Sequence, residues 1–271
     1  MRPCATISLV PSLAGGPWIY WDELAVSVPK AAAAGFEAVE LFFAAPEEVD
    51  AAELRGLCGR TGVRLAAVGT GAGKVLRGLT LTSPDATIRR QAVEFVKSII
   101  DFGAPFSAPA IIGSIQGSVA GTDKARALEL LAEALRELAE SAARQGTALI
   151  YEPLNRYETN LINRLGDAVA FFERHRLGNI RLLADLFHMN IEEESLGDAI
   201  RSFGEWIGHV HFADSNRRPV GFGHTEMGEA AAALRAIGYD GYLSAEALPF
   251  PDPDTAAAQT MRAFRFITKT K

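Results

Sequence analysis

The feature that most limits the fold of this chain is a regular alternation between two kinds of segment. Short runs of β-branched and apolar residues recur along the sequence, and a longer segment rich in Ala, Leu, Glu and Arg follows each run. This alternation is typical of βα units on a parallel sheet, where crossover helices cover the faces of the strands. Eight units can be placed, with strands predicted at Ala5–Val10, Ala38–Phe43, Arg64–Val68, Ala110–Ile112, Ala148–Glu152, Arg181–Ala184, His209–Ala213 and Tyr242–Glu246.

Glycines mark the ends of the intervening helices. Gly35, Gly62, Gly146 and Gly238 each stand just before a predicted strand, where a helix C-cap leads into the next strand. This regularity favours a closed barrel over a doubly wound sheet, and a length of 271 residues agrees with the about 250 residues of a typical eight-unit barrel. We therefore predict the α/β class and a (β/α)8 TIM barrel, with one domain spanning residues 1–271.

Two helices are indicated most strongly. Apolar residues recur at three- and four-residue spacing in Ile88–Ile100 and in Asp123–Arg144, as on the buried face of an amphipathic helix. The expected N-caps are at Ser83-Pro84 and Thr122-Asp123, and the expected stops are Gly103 and Gly146.

Composition excludes several function classes. Apolar residues make up 48% of the chain and charged residues 22%, so a sizeable core can be buried. The net charge of −6, with no run of Lys or Arg to offset it, argues against a nucleic-acid partner. A small neutral or weakly anionic substrate suits this charge better.

The sequence also indicates a compartment. Cys4 and Cys58 lack the paired spacing of a disulfide framework or metal knuckle, which favours a reducing environment. The apolar run between Pro3 and Pro11 is short for a secretory signal, and no stretch approaches the roughly 18 apolar residues of a membrane span. We expect no membrane association and a cytoplasmic location.

Four side chains occupy matched places in the second half of the chain. Glu152, Asp185, His211 and Glu246 each close a short apolar run, at intervals of 33, 26 and 35 residues. These intervals are close to the roughly 30 residues of one strand and its crossover helix, so all four should meet at the carboxyl ends of neighbouring strands. Three carboxylates and one imidazole form a site for one divalent cation of intermediate hardness, such as Mn²⁺, Co²⁺ or Mg²⁺.

Other polar residues fall near this predicted site. His209 and His211 face the same side of their strand, and we expect His211 to be the ligand and His209 to be a hydrogen-bonded barrel residue. His188, in the loop after Asp185, could support a ligand, contact a substrate or be a solvated loop residue. The loops after strands five and seven also carry charges that could reach the barrel mouth, at Glu158 and Arg217, whereas Arg218 should point elsewhere.

The segment GTGAGK, from Gly69 to Lys74, invites a phosphate-loop interpretation. It fails because Val68 and Val75 stand where that motif needs Gly and Ser or Thr. We predict instead a flexible loop over the barrel mouth.

Four segments between Tyr151 and Glu246 carry a family resemblance: EPLNRYETNLINR, DLFHMNIEEES, GHVHFADSNRRPVGFGH and IGYDGYLSAE. They resemble the xylose-isomerase-like barrels known as sugar-phosphate isomerases/epimerases. Within that group the chain is most similar to the ketose 3-epimerases of the tagatose, psicose and ribulose type. DxFHMNIEE and HxHxxxxNR carry the resemblance to that branch, and GFEAVELF fits the wider superfamily.

The resemblance implies an isomerase that epimerises a free keto-sugar through a cis-enediolate. It implies one divalent metal ion, Mn²⁺ first, held by Glu152, Asp185, His211 and Glu246, with Glu152 and Glu246 also serving as the acid/base pair. Substrate-binding roles are implied for three further residues, with His188 and Arg217 at the carbonyl end and Glu158 at the terminal hydroxyl. We also expect a homo-oligomer, either a dimer or a tetramer.

Other functions remain open on the same metal site. One is an aldose–ketose isomerase of the hydroxypyruvate or rhamnose isomerase type, and another is a dehydratase acting on an inosose or dehydroshikimate. A DNA-repair endonuclease of the related barrel class is disfavoured, because its zinc cluster needs more histidines than the 5 in this chain. A non-catalytic sugar-binding barrel is the alternative from a different class.

Overall fold

Eight parallel strands form a closed barrel in the computed structural model, which describes residues 1–269. Each strand pairs with the next in chain order, and the last pairs with the first. The predicted (β/α)8 TIM barrel is confirmed. The strands are β1 (Arg2–Ser8), β2 (Ala38–Phe42), β3 (Arg64–Gly69), β4 (Ala110–Ile112), β5 (Leu149–Tyr151), β6 (Ile180–Asp185), β7 (Ile207–His211) and β8 (Tyr242–Ala245).

Helices separate the strands, and two short ones are additional to the eight of the barrel. The two extra helices within residues 1–269, Gly71–Arg77 and Leu186–Glu192, have 7 residues each and directly follow β3 and β6. No helix in residues 1–269 is long and apolar enough to cross a membrane. The helices are α1 (Leu24–Ala34), α2 (Ala51–Thr61), α3 (Gly71–Arg77), α4 (Ala86–Gly103), α5 (Lys124–Arg144), α6 (Leu165–His175), α7 (Leu186–Glu192), α8 (Leu196–Phe203), α9 (Met227–Ala236) and α10 (Pro253–Lys269).

Strand boundaries are where the sequence-based expectation was least accurate. The first strand begins at Arg2, not Ala5, because Arg2 to Ala5 pair with β8 while Cys4 to Ser8 pair with β2. The fifth and eighth strands end one residue before Glu152 and Glu246, so both glutamates lie just beyond the sheet. Pairing with the neighbouring strands sets where each strand begins and ends, and the composition of a single segment does not reveal that pairing.

Helix ends were predicted more accurately. Gly35, Gly62, Gly146 and Gly238 all adopt positive φ, as expected for residues that end helices. Asp123, one of the two residues expected at this cap, caps α5 by accepting a hydrogen bond from the Arg126 amide.

Two expectations about helices were wrong, and a third was met. The cap of α4 is Asp85, which accepts from the Thr87 amide, and not Ser83. Gly103 is the last residue of α4, so this helix ends where expected, and a Cβ at Gly103 would collide with the Ala108 carbonyl. The segment predicted as a flexible loop is largely helical, since Gly71–Arg77 forms α3 with Gly78 as its left-handed cap.

A buried hydrogen-bond network holds the carboxyl end of β5 in place. The Gln116 side chain donates to the Gly113 and Glu152 carbonyls, each at 3.0 Å. It also accepts from the Tyr151 hydroxyl at 2.6 Å. Tyr151 and Gln116 are fully buried, so these bonds fix the backbone that carries Glu152.

Candidate metal centre

Four buried side chains converge at the carboxyl end of the barrel, as the sequence predicted. Glu152 follows β5, Asp185 ends β6, His211 ends β7 and Glu246 follows β8. Consecutive strands of a closed barrel are neighbours in space, which is why residues far apart in the chain meet here. Each offers one ligand atom, and the four atoms lie within 4.8 Å of one another.

The Nδ1 atom of His211 lies at the centre of the cluster. It is 3.2 Å from Asp185 Oδ2, 3.4 Å from Glu152 Oε1 and 3.5 Å from Glu246 Oε2. Asp185 also caps α7, because its Oδ1 accepts from the Phe187 and His188 amides, which leaves Oδ2 for the cluster. Each residue thus presents one atom to a common point.

The chemistry of the cluster fits a divalent cation. The buried Glu152 Oε1 has no hydrogen-bond partner among residues 1–269, although such atoms are normally paired. The pKa of His211 is raised well above its ordinary value. Burial acts to lower this pKa, but the combined effect of Glu40, Glu246 and the other carboxylates is to raise it, and their effect is the larger. The cluster therefore attracts positive charge, and hard oxygen ligands with one imidazole suit Mn²⁺, Co²⁺ or Mg²⁺.

The two glutamates differ electrostatically. Burial raises the pKa of the Glu152 carboxyl to about 7, and the nearby charge of Glu246 acts in the same direction. Burial also acts to raise the pKa of Glu246, but the adjacent Arg217 guanidinium and the His211 imidazole together outweigh burial and hold the pKa below its ordinary value. Two carboxyls at one site therefore have opposite tendencies to carry a proton, which is the usual arrangement of an acid/base pair.

Sequence reasoning missed Glu40, which orients the imidazole ligand. This fully buried residue of β2 lies with one oxygen 2.7 Å from His209 Nε2 and the other 3.1 Å from His211 Nε2. If Nε2 of His211 donates to Glu40, Nδ1 keeps its lone pair for the cation. His209 is the hydrogen-bonded barrel residue that was expected. The sequence signal that could have identified Glu40 is a charged residue inside the otherwise apolar strand AVELF.

We expect Glu40→Gln to weaken Mn²⁺ binding by about 10- to 100-fold, the usual cost of losing a partner behind a metal ligand. A glutamine can accept from only one of the two imidazoles, so His211 loses its fixed tautomer or orientation. Titration calorimetry with Mn²⁺ measures the effect. Glu37→Gln, an exposed change of the same kind just before β2, is the control. Unchanged affinity in Glu40→Gln would show that Glu40 does not orient the ligand.

His188 is buried and directs one nitrogen into the site. Its Nδ1 lies 3.3 Å from the Asn155 backbone nitrogen and 2.8 Å from the Asn155 amide nitrogen, both of which are donors. Nδ1 must therefore accept, which places the proton on Nε2. Nε2 has no hydrogen-bond partner in the described chain and lies 3.7 Å from Glu152 Oε1. The interpretation of His188 as a solvated loop residue was wrong.

Arg217 connects two of the predicted site residues. Its guanidinium donates to Glu246 Oε2 at 2.6 Å and to Glu158 Oε1 at 3.2 Å, and it lies over the Phe187 ring. Arg217 has a positive φ of 56°, an uncommon conformation outside glycine that often marks functional loops. Arg218 instead stacks on Phe250, so it points elsewhere as expected.

A cavity of about 440 Å³ lies above the cluster. Its polar side is formed by Glu152, Glu158, His211, Arg217 and Glu246. The first three barrel loops contribute a largely apolar wall, which sequence reasoning did not anticipate. The wall includes Leu13, Pro17, Trp18, Phe42 and Val75.

Fold and site together define a (β/α)8 barrel with a candidate divalent-metal centre beneath a substrate-sized cavity. The sequence profile of the xylose isomerase-like TIM barrel family matches residues 28–267. The chain belongs to this family.

Individual relatives are epimerases. A D-psicose 3-epimerase from Ruminiclostridium cellulolyticum is 30% identical over 265 residues, covering 93% of this chain and 88% of that protein. A 3-dehydro-D-guloside 4-epimerase from Escherichia coli is 38% identical over 115 residues, 42% of this chain and 44% of that protein. A solved D-psicose 3-epimerase structure, determined in the presence of D-fructose, shares 26% identity with a TM-score of 0.81 and full coverage of both chains. The prediction of an isomerase-class enzyme is confirmed at this level.

Proposed function

We propose that this chain is a metal-dependent ketose 3-epimerase that acts on a free keto-sugar through a cis-enediolate. The observation that carries the proposal is the placement of Glu152 and Glu246. They approach His211 Nδ1 from different strands, at 3.4 and 3.5 Å, and their pKa values are shifted in opposite directions. The similarity to D-psicose 3-epimerases over most of the chain supports the same reaction.

The cation would be held by Glu152, Asp185, His211 and Glu246, with Mn²⁺ as the first candidate and Co²⁺ or Mg²⁺ as alternatives. When bound, it supplies positive charge beside substrate oxygens on which negative charge develops.

Inversion at C3 needs a proton acceptor on one face of the sugar and a donor on the other. Glu246 is the acceptor in one direction, because Arg217 stabilises its ionised form. Glu152 is the donor in that direction, on the opposite face of the sugar. The roles exchange when the reaction runs in reverse, as reversibility requires.

Three residues position the sugar in this proposal. The Nε2–H of His188 has no other partner in the described chain and would donate to an oxygen at the carbonyl end. Arg217 would donate to the same end, since its guanidinium already lies beside Glu246. Glu158, on the far side of Arg217, would accept a hydrogen bond from the terminal hydroxyl.

Turnover in D₂O tests the reaction. The proton lost from C3 goes to one carboxylate and the returning proton comes from the other, which exchanges with water. We therefore expect deuterium at C3 of the epimerised product and none at C1, as measured by NMR with Mn²⁺ and a panel of free and phosphorylated ketoses.

Other labelling patterns would contradict the assignment. Deuterium only at C1 or C2, or no label from solvent, would indicate an aldose–ketose isomerase. A dehydrated product would indicate a dehydratase of the inosose or dehydroshikimate type, and label at C4 would indicate a 4-epimerase. The oligomeric state and the cytoplasmic location stay predictions.

A further inference from the structure

The cavity above the cluster is larger than one ketose requires. A ketohexose is about six CHOH units, each about as bulky as a water molecule at ~30 Å³, so it fills about 180 Å³. The cavity measures about 440 Å³. More than half of the space therefore remains when a ketohexose contacts the acid/base pair.

The apolar part of the lining comes from a different arc of the barrel than the polar groups. Glu152, His211 and Glu246 lie at the carboxyl ends of β5, β7 and β8. Trp18 lies in the loop after β1, Phe42 ends β2, and Val75 lies in α3, after β3. The Trp18 and Phe42 rings pack together with centroids 5.1 Å apart. Phe42 also lies directly against Gly69, where a Cβ would collide with the ring. This wall is a fixed aromatic surface.

Two hydrogen-bonding groups interrupt the apolar wall. Lys74 of α3 lines the cavity and forms no ion pair within residues 1–269. Ser114, after β4, also lines it, and its hydroxyl makes no hydrogen bond in the same part of the chain. Among the described lining residues from the first four barrel units, Lys74 is the only charged side chain.

We propose that this side of the cavity is a subsite for a glycosyl group, so that the substrate is a keto-sugar carrying a second sugar ring at the end remote from the reacting carbonyl. A sugar ring presents an apolar C–H face that packs on Trp18 and Phe42, and hydroxyl edges that bond to Lys74 and Ser114. A purely apolar substituent would leave Lys74 desolvated without a partner. A phosphate is a poorer match for this side of the cavity, because it would find a single cation, Lys74, beside aromatic rings.

This inference rests on the proposed epimerase function and specifies its substrate class. The test compares fructose, 6-O-glucosyl-fructose and fructose 6-phosphate on the Mn²⁺-loaded enzyme, by titration calorimetry and by kcat/KM. We expect the glucosyl ketose to bind at least about 10-fold more tightly than fructose, the difference that one well-placed group makes. Equal affinities, or a preference for the phosphate, would overturn the subsite.

A substitution in the subsite makes the test specific. Val75 is 59% exposed at the rim, so Val75→Trp should fold normally while filling the outer cavity. We expect it to weaken binding of the glucosyl ketose at least about 10-fold and binding of fructose less than twofold. Val26→Trp, at a 44% exposed valine on α1, is the matched control. Equal loss for both ketoses would contradict the proposal.

The two proposals fail in different ways. If fructose is epimerised and the glucosyl ketose binds no better, the subsite is wrong and the epimerase assignment stands. If the glucosyl ketose binds more tightly, and Val75→Trp removes the advantage, but neither ketose is inverted at C3, the subsite stands and the epimerase assignment is wrong.

Discussion

Replacing Glu152 or Glu246 with glutamine is expected to lower the rate of epimerisation at least about 100-fold, because a positioned proton-transfer group contributes about 10²- to 10⁴-fold. Glutamine keeps the size of the side chain and one oxygen for the cation, but it cannot accept and release a proton at neutral pH. Each variant should fold normally. The measurement is turnover of a ketose, with metal content determined on the same samples.

A surface glutamate provides the control for the loss of one carboxylate. Glu47 is exposed after β2 and touches none of the site residues, so Glu47→Gln should keep wild-type turnover. If either site variant retains near wild-type turnover with a full complement of metal, the two-carboxylate mechanism is excluded.

Replacing His211 with alanine is expected to weaken divalent-metal binding by more than the 10-fold that follows from losing a residue behind a ligand. His211 supplies the one nitrogen among the four candidate ligands, and three carboxylates remain close together without it. Titration with Mn²⁺ should give about one equivalent for the wild-type chain. Excess Mn²⁺ at a hundredfold over its Kd should also stabilise the wild-type fold by about 2.7 kcal/mol, which a thermal shift would detect.

His175 is the matched control, because it lies on α6 away from the cluster and packs against Phe171. His175→Ala should bind Mn²⁺ with wild-type affinity. An unchanged affinity in His211→Ala would remove His211 from the metal site, and a stoichiometry well above one would show that the four residues do not define a single site.

The sequence alone was sufficient for the fold class. Alternating apolar runs and helical segments, with glycines such as Gly35 and Gly146 at helix ends, follow from local chemistry: the period of side-chain burial and the need for a left-handed cap. Local chemistry does not set where a strand stops pairing. The start of β1 at Arg2 follows from its pairing with β8, and the helical form of Gly71–Arg77 was hidden by its glycines.

The convergence of the four candidate metal ligands could also be predicted, because they share one positional rule. Glu152, Asp185, His211 and Glu246 all stand at carboxyl ends of strands, and a closed barrel brings such ends together regardless of their separation in the chain. The family resemblance added their expected roles, together with those of Glu158 and Arg217, which line the cavity, and of His188, whose Nε2 lies 3.7 Å from Glu152 Oε1. Those roles stay predictions until the variants are measured.

What the sequence by itself determined is therefore the barrel and the residues at its strand ends. The tertiary structure decided which atoms face one another. Glu40 lies more than 160 residues from His209 and His211, and only barrel closure brings its carboxylate onto both imidazoles. The aromatic wall of Trp18 and Phe42 likewise depends on packing between successive loops. Both features depend on distances between non-local groups, which a linear pattern of residue types does not contain.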